Sequence, residues 1–285
     1  MRVTPAIWLA LPSLLVVALF GLVLVSFASV SLLTLEPGSA LFHGPVSLRN
    51  YERLLGSAGA WRAIGTTLRL SALIALLCLL LGYPLARVLA RSGSARLRRV
   101  ILFCLVATFL SGGVTRAYAW MVILGNRGLI NEALRGLGLP TLTLINNETA
   151  VVISVLNFVL PFFVLTLFGA LRTIPETLEQ AARNLGASRL RCFLHVTLPL
   201  SLPGIAAATS LCFALSLGAF LFPQMLGGGR VHVLATAIYD RIQTSYDIPA
   251  AAALAMLFFG LMLALLGLAG AVRRALSVRY AGEAA

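Results

Sequence analysis

The chain has 285 residues, of which 60% are hydrophobic and 11% charged, and its mean hydropathy is +0.97. Soluble domains run nearer to roughly 45–50% apolar and 25% charged, so a water-soluble globular enzyme is excluded, and so is a disordered chain. The net charge of +13 comes from 22 arginines and no lysine.

In chain order, Arg2 precedes an uncharged run from Val3 to Leu35. A signal-peptide core is only about 7–15 residues, so this run reads as an uncleaved first span, about 7–33. In the loop 34–62, Leu48, Tyr51, Leu54 and Leu55 recur at helical spacing, which predicts a short interfacial helix. The second span, about 63–89, carries Arg69. A short loop holding Arg91, Arg96, Arg98 and Arg99 follows. The third span, about 98–124, carries Arg116 and Trp120. The fourth, about 149–171, carries Asn157 and Pro161.

A polar segment of about 173–202 separates spans four and five, the fifth being about 203–226. The loop 227–249 holds Tyr239, Asp240, Tyr246 and Asp247, and the sixth span is about 250–272. Strict alternation over ten-residue stretches is missing, which argues against a β-barrel. The expected fold is an all-α integral membrane protein: one transmembrane domain, 1–285, of six helices. Arginine sets its orientation. Thirteen arginines fall on the side holding Arg2, the 87–99 and 172–191 clusters and Arg273, Arg274 and Arg279; seven fall on the other. Both termini are therefore expected in the cytoplasm. The arginines punctuate spans and form no single patch, so the charge needs lipid as its partner and no nucleic acid.

The 173–202 segment predicts helix, turn, helix. Thr173 with Glu176 fits a capping box, and Pro175 suits a first helical turn. Gly186 suits a left-handed helix end, and Ser188 a second cap. Leu190, Phe193 and Leu194 would share one face, with Pro199 and Pro203 stopping this helix and starting span five.

Gln180-Ala181-Ala182, then Gly186, then Val196-x-Leu198-Pro199 resembles the EAA signature of permease subunits of binding-protein-dependent ABC importers. The spacing matches throughout. Gln180 stands where the family has Glu, and Val196 where it has Ile; Glu179 is adjacent but about 100° round the helix. Gly82-Tyr83-Pro84-Leu85-Ala86, Arg116-Ala117-Tyr118-Ala119-Trp120 with Gly128-Leu129-Ile130-Asn131, and Leu217-Gly218-Ala219-Phe220 with Pro223 resemble the spermidine/putrescine-type permeases.

This resemblance implies a type I ABC importer permease in a bacterial inner membrane. Its implied partners are a second, similar permease, two ATPase subunits and an extracytoplasmic binding protein. Glu179, Gln180, Ala181, Ala182, Gly186, Ala187, Leu198 and Pro199 would then form the ATPase-coupling element. A P-loop needs a lysine to reach the phosphates, and this chain has none. ATP and Mg would therefore sit on the partner, and the chain itself would bind no cofactor.

Asn157, Arg69, Arg116 and Trp120 are candidates for the translocation path; for the arginines the alternative is snorkelling or pairing at the outer interface. Tyr239, Asp240 and Asp247 are candidates for binding-protein docking, against ordinary polar loop residues. The four cysteines contain no CxxC pair, and the three histidines are far apart, so neither a disulfide framework nor a metal site is expected. The expected solute is small, polar or charged, and polyamine-like or related. An ion-coupled secondary transporter is the alternative, but the spans show no carboxylate relay for it.

Overall fold

A computed structural model of the chain describes residues 5–34 and 46–282. Arg2 and His43 lie outside the described residues, as do the side chains of Arg273, Arg274 and Arg279. Every regular element among the described residues is helical. The chain divides into two units, Met1–Ala63 with Leu234–Leu261 and Ile64–Val233 with Met262–Ala285.

The first unit opens with α1 (Pro5–Ser31), a helix apolar on all sides whose membrane-length window has no buried residue within the chain. Such a surface is stable against lipid tails or partner helices, not water. The interfacial helix expected near 48–55 is α2 (Arg49–Leu55). It closes the end of α1. The buried Asn50 amide donates to the carbonyls of Ser31 and Leu33 at 2.9 and 2.7 Å, and the Tyr51 hydroxyl lies 2.7 Å from Ser31 Oγ. Those carbonyls would otherwise be orphaned at a helix end.

The long α3 (Ala58–Arg91) contributes residues to both units. At 1.5 Å per residue its 34 residues reach about 50 Å, longer than a hydrocarbon core of about 30 Å is thick.

The second unit continues with α4 (Ala95–Leu110), α5 (Gly113–Leu124), α6 (Leu129–Gly136) and α7 (Glu148–Arg172). After these come α8 (Glu176–Asn184), α9 (Arg189–Cys192), a π-helical turn (Phe193–Thr197), α10 (Leu198–Leu217) and α11 (Leu221–Leu226). The chain then runs through α12 (Leu234–Gln243) and α13 (Ile248–Gly282).

The centre of the second unit is α7, which packs on α4, α5, α10 and α11. Val151, Val155, Val159 and Phe163 recur every four residues and are buried, as are Leu167 and Leu171. In lipid the driving force is close packing more than water exclusion, so small residues set the approach of helices. Gly204 of α10 shows this: a Cβ there would lie 2.4 Å from Ala170 Cβ of α7.

Among the described residues five helices are long and apolar enough to span, and the bent stretch Ala95–Leu110 plus Gly113–Gly136 passes the same test of length and composition when its two helices are taken together, as a broken span or a re-entrant loop. The third span is therefore not the continuous 98–124 helix that its hydropathy suggested. The stretch bends by 105° at Ser111-Gly112, where the backbone turns extended. Two consecutive glycines, Gly112 and Gly113, weaken the helix there, and hydropathy does not register them. Arg116 makes the break tenable. It is 8% exposed, and its guanidinium donates to the Thr108 carbonyl, to the Ser111 carbonyl at 2.8 Å and to Ser111 Oγ at 3.1–3.2 Å.

Candidate functional site: the knuckle between α7 and α10

Each part of the knuckle has a local cause. Helix α7 ends at Thr173, whose hydroxyl donates to the Ala170 carbonyl at 2.8 Å. The capping box expected of Thr173 and Glu176 does not form: Pro175 is the N-cap of α8, without a side-chain cap bond, because Thr173 is already committed to α7. Glu176 turns instead to Arg91, with its carboxylate 3.3 Å from Nη1.

Gly186 has φ +85°, the left-handed conformation that an L side chain resists, and a Cβ there would meet nothing within 4 Å. The amide of Ala187 reaches back to the Ala182 carbonyl at 3.0 Å, which closes α8. Ser188 then caps α9, its Oγ accepting from the Arg191 amide at 3.3 Å.

Pro199 and Pro203 do not interrupt the chain between knuckle and span. The path from Arg189 to Leu217 is one 29-residue helical stretch carrying the π turn at 193–197. A proline in an α-helix removes a donor and pushes on the carbonyl four residues back. The wider π turn sits where Pro199 would press, so the helix passes through.

The knuckle is tied to the end of α3 by three side chains at four-residue spacing, hence on one face. Tyr83 meets the Phe193 ring edge-on at 5.7 Å, and its hydroxyl lies 3.3 Å from Ser201 Oγ. The Arg87 guanidinium sits 4.4 Å above the Phe193 ring, within cation–π range. The Arg91 guanidinium donates to the Ile174 carbonyl at 2.9 Å and pairs with Glu179 at 3.2 Å.

Glu179 is the inner anchor. It is 6% exposed, accepts from the Thr197 hydroxyl at 3.0 Å, and lies 3.7 Å from Arg183. Its own backbone carbonyl faces the Cys192 thiol at 3.7 Å. One carboxylate thus holds α8, the π turn and α3 together.

The coupling candidates divide by exposure. Gln180, Ala181 and Gly186 are exposed, Ala182 and Ala187 are half-buried, and Leu198 and Pro199 are half-buried at the start of α10. Glu179 alone among them faces inward. Tyr83, Arg87, Arg91 and Thr197 were missing from the sequence-derived set; the spacing of 83, 87 and 91 was the available signal for three of them.

The other candidates are scattered. Arg69 pairs with Glu148 at the first turn of α7, both side chains remaining well exposed. Trp120 Nε1 donates to Asn157 Oδ1 at 3.4 Å, which joins two path candidates across α5 and α7. Arg116 lies 5.8 Å over the Phe158 ring, one residue from Asn157. In the first unit, Asp247 caps α13 by accepting from the Ala250 amide at 3.1 Å. Tyr239 and Asp240 are exposed on α12. No cluster of metal-ligating side chains occurs among the described residues.

Residues 79–278 match the family described as binding-protein-dependent transport system inner membrane component. The chain is 32% identical over 223 residues to the spermidine/putrescine transport system permease protein PotB of Haemophilus influenzae, covering 78% of this chain and 77% of that one. It is 36% identical over 209 residues to the molybdenum transport system permease protein ModB of Mycobacterium bovis, covering 72% and 76%. Its fold is that of a chain of a bacterial ABC transporter that imports the acidic polysaccharide alginate, with TM-score 0.78, 20% identity, and 94% and 95% covered. The ion-coupled alternative is thereby displaced. The chain belongs to the inner membrane component family of binding-protein-dependent transport systems, and it is a multi-pass permease subunit of an ABC importer.

Proposed function

We propose that this subunit forms half of a translocation path for a small polar or charged organic solute, polyamine-like or related. A separate ATPase would drive it through the 173–202 knuckle. The observation that carries the reading is the Arg91–Glu179–Thr197 junction. A push on an exposed knuckle moves a span only if the two are mechanically joined. Here a largely buried ion pair joins α8 of the knuckle to α3, and a buried hydrogen bond joins α8 to the π turn, which continues into α10.

The cycle is then two-state alternation, biased by ATP on the partner and by loaded binding protein outside. A second, similar permease supplies the other half, and both termini lie in the cytoplasm with the knuckle. The thirteen-to-seven division of arginine supports that orientation. The solute class rests on the PotB relatives. Trp120 and Asn157 offer the path an aromatic face and a neutral polar group, which suit a solute that must not bind tightly in transit.

The test is reconstitution of the permease pair with its ATPase and binding protein in proteoliposomes. ATP-dependent uptake of a polyamine is expected, with uptake lost on Arg91→Ala. Uptake that runs on an ion gradient without ATP overturns the reading.

A further inference from the structure

Helices α3 and α10 leave a groove of about 390 Å³ between them. Leu80 and Tyr83 of α3 line one wall, and Leu198 and Leu202 of α10 with Phe193 of the π turn line the other. Past Leu79 it runs on into a second groove, of about 490 Å³, beside Leu76 and Phe213. Positions 76, 79, 80 and 83 of α3, and 198, 202, 205 and 209 of α10, recur at helical spacing, so both grooves follow one stripe on each helix. Tyr83 brings the lower groove its one hydroxyl, which lies 3.3 Å from Ser201 Oγ. Every other side chain lining that groove is apolar, so it suits hydrocarbon and offers little to a polar solute.

At the inner end stands Arg87. Its guanidinium lies 4.4 Å over the ring of Phe193, which lines the groove. Among the described residues no carboxylate pairs with Arg87 and no oxygen accepts from it. Arg91, one turn further on, is paired with both Glu176 and Glu179. The acids of the knuckle are thus committed to Arg91, and Arg87 keeps its charge and its five N–H donors for another partner. From Leu76 to Arg87, α3 rises about 16 Å, close to the roughly 15 Å of one leaflet of hydrocarbon. An apolar furrow one leaflet deep, with an unneutralised guanidinium at its end, has the length and the charge to match a phospholipid.

We propose that this groove is a site for an anionic phospholipid of the cytoplasmic leaflet, with one acyl chain along α3 and α10 and the phosphate on Arg87. It rests on the proposed orientation, which puts the knuckle end of α3 in that leaflet. Anionic lipids are concentrated there, and basic pockets between spans take their headgroups. A zwitterionic headgroup carries its own cation beside the phosphate and gains less from Arg87. The rings of Tyr83 and Phe193, which tie α3 to the knuckle, form part of the wall. A seated chain packs on both rings and so braces that contact.

The experiment uses the full permease, purified in detergent and given equal amounts of phosphatidylglycerol and phosphatidylcholine. Native mass spectrometry counts the lipids retained, and size exclusion confirms that each variant is folded. The unaltered permease is expected to retain one phosphatidylglycerol with about fivefold preference over phosphatidylcholine. Arg87→Gln should abolish the preference, and Arg87→Lys should keep most of it. Leu202→Trp, which fills the groove, should lose retention of both lipids. Ile205→Phe gives the same reading with a smaller addition where Leu202→Trp fails to fold.

An undiminished preference in Arg87→Gln, or full retention with the groove filled, overturns the proposal. So does disulfide cross-linking of Ile205→Cys to a cysteine placed on a second permease, because a partner helix then covers the groove. Labelling of Leu185→Cys by a membrane-impermeant maleimide in spheroplasts overturns the orientation, and with it the functional reading, and is distinguishable from a loss of lipid preference.

Discussion

Arg91 Nε of α3 lies 3.2 Å from the Glu179 carboxylate of α8, both side chains being largely buried. Eighty-eight residues of chain separate them, and an ion pair with few other routes to solvation closes that gap. A buried pair does more to fix an arrangement than to add stability, because desolvation offsets much of the attraction. Removing one partner is costly. Glu179→Ala is expected to lower stability by about 1.5–3 kcal/mol, the range for a hydrogen bond to a charged group. Glu179→Gln, which can still accept from Thr197, should cost less. Thermal unfolding in detergent, combined with a double-mutant cycle against Arg91→Ala, checks this; a coupling energy near zero would show that the residues act independently.

Gly186 tests the backbone in isolation. A Cβ at this position meets nothing, so the cost of Gly186→Ala is purely that of φ +85°. The expected loss is about 1–2 kcal/mol of local stability, less for Gly186→Asn, which tolerates this region better. Hydrogen exchange at Leu185 and Ala187 reads the local opening, and ATP-driven uptake should fall in the same order, Gly above Asn above Ala.

Arg116 tests the broken span. Replacing it by Met keeps much of the apolar stem but removes the guanidinium that donates to the Thr108 and Ser111 carbonyls, of which Thr108 keeps only the Ser111 hydroxyl. The expected cost is about 1–3 kcal/mol. Arg116→Lys should recover part of it with a single donor head. Faster amide exchange across 107–113 in the Met variant, and an intermediate rate in the Lys variant, is the expected pattern.

The Arg69–Glu148 pair should matter little to stability. Both side chains remain well exposed, and such pairs contribute about 0–1 kcal/mol. Single reversals, Arg69→Glu or Glu148→Arg, are expected to leave the melting temperature within a degree or two while changing the salt dependence of uptake. The double reversal should restore the original salt dependence.

Much of this structure could be read from residue order. The left-handed turn followed from Gly186, the α9 cap from Ser188, and α2 from the spacing of Leu48, Tyr51 and Leu54. Those features depend on neighbours a few residues apart. The break in the third span was written in Gly112 and Gly113, but averaged hydropathy ran straight through it, and Arg116 read as a path candidate or an interfacial charge instead of a donor to its own preceding helix. Glu179 was counted with the coupling residues and set about 100° round the helix from Gln180; that it is buried against Arg91 could not be inferred, because the pairing depends on how α3 and α8 meet. Thr173 misled for a similar reason. A threonine that could start one helix was already ending another, and one-dimensional patterns do not rank competing claims on a hydroxyl.

The π turn at 193–197 gives the signature its arithmetic. A π turn winds more residues into each revolution than an α turn does, so it sets the phase between whatever precedes it and whatever follows. The nine positions between Gly186 and Val196 include most of that turn. Deleting one of them would rotate the knuckle by about 100° relative to α10 and carry Thr197 off the bearing of Glu179. A one-residue insertion or deletion in this stretch should therefore cost the Glu179–Thr197 bond where a substitution of an exposed side chain does not, and the count from Gly186 to Pro199 acts as a gear ratio.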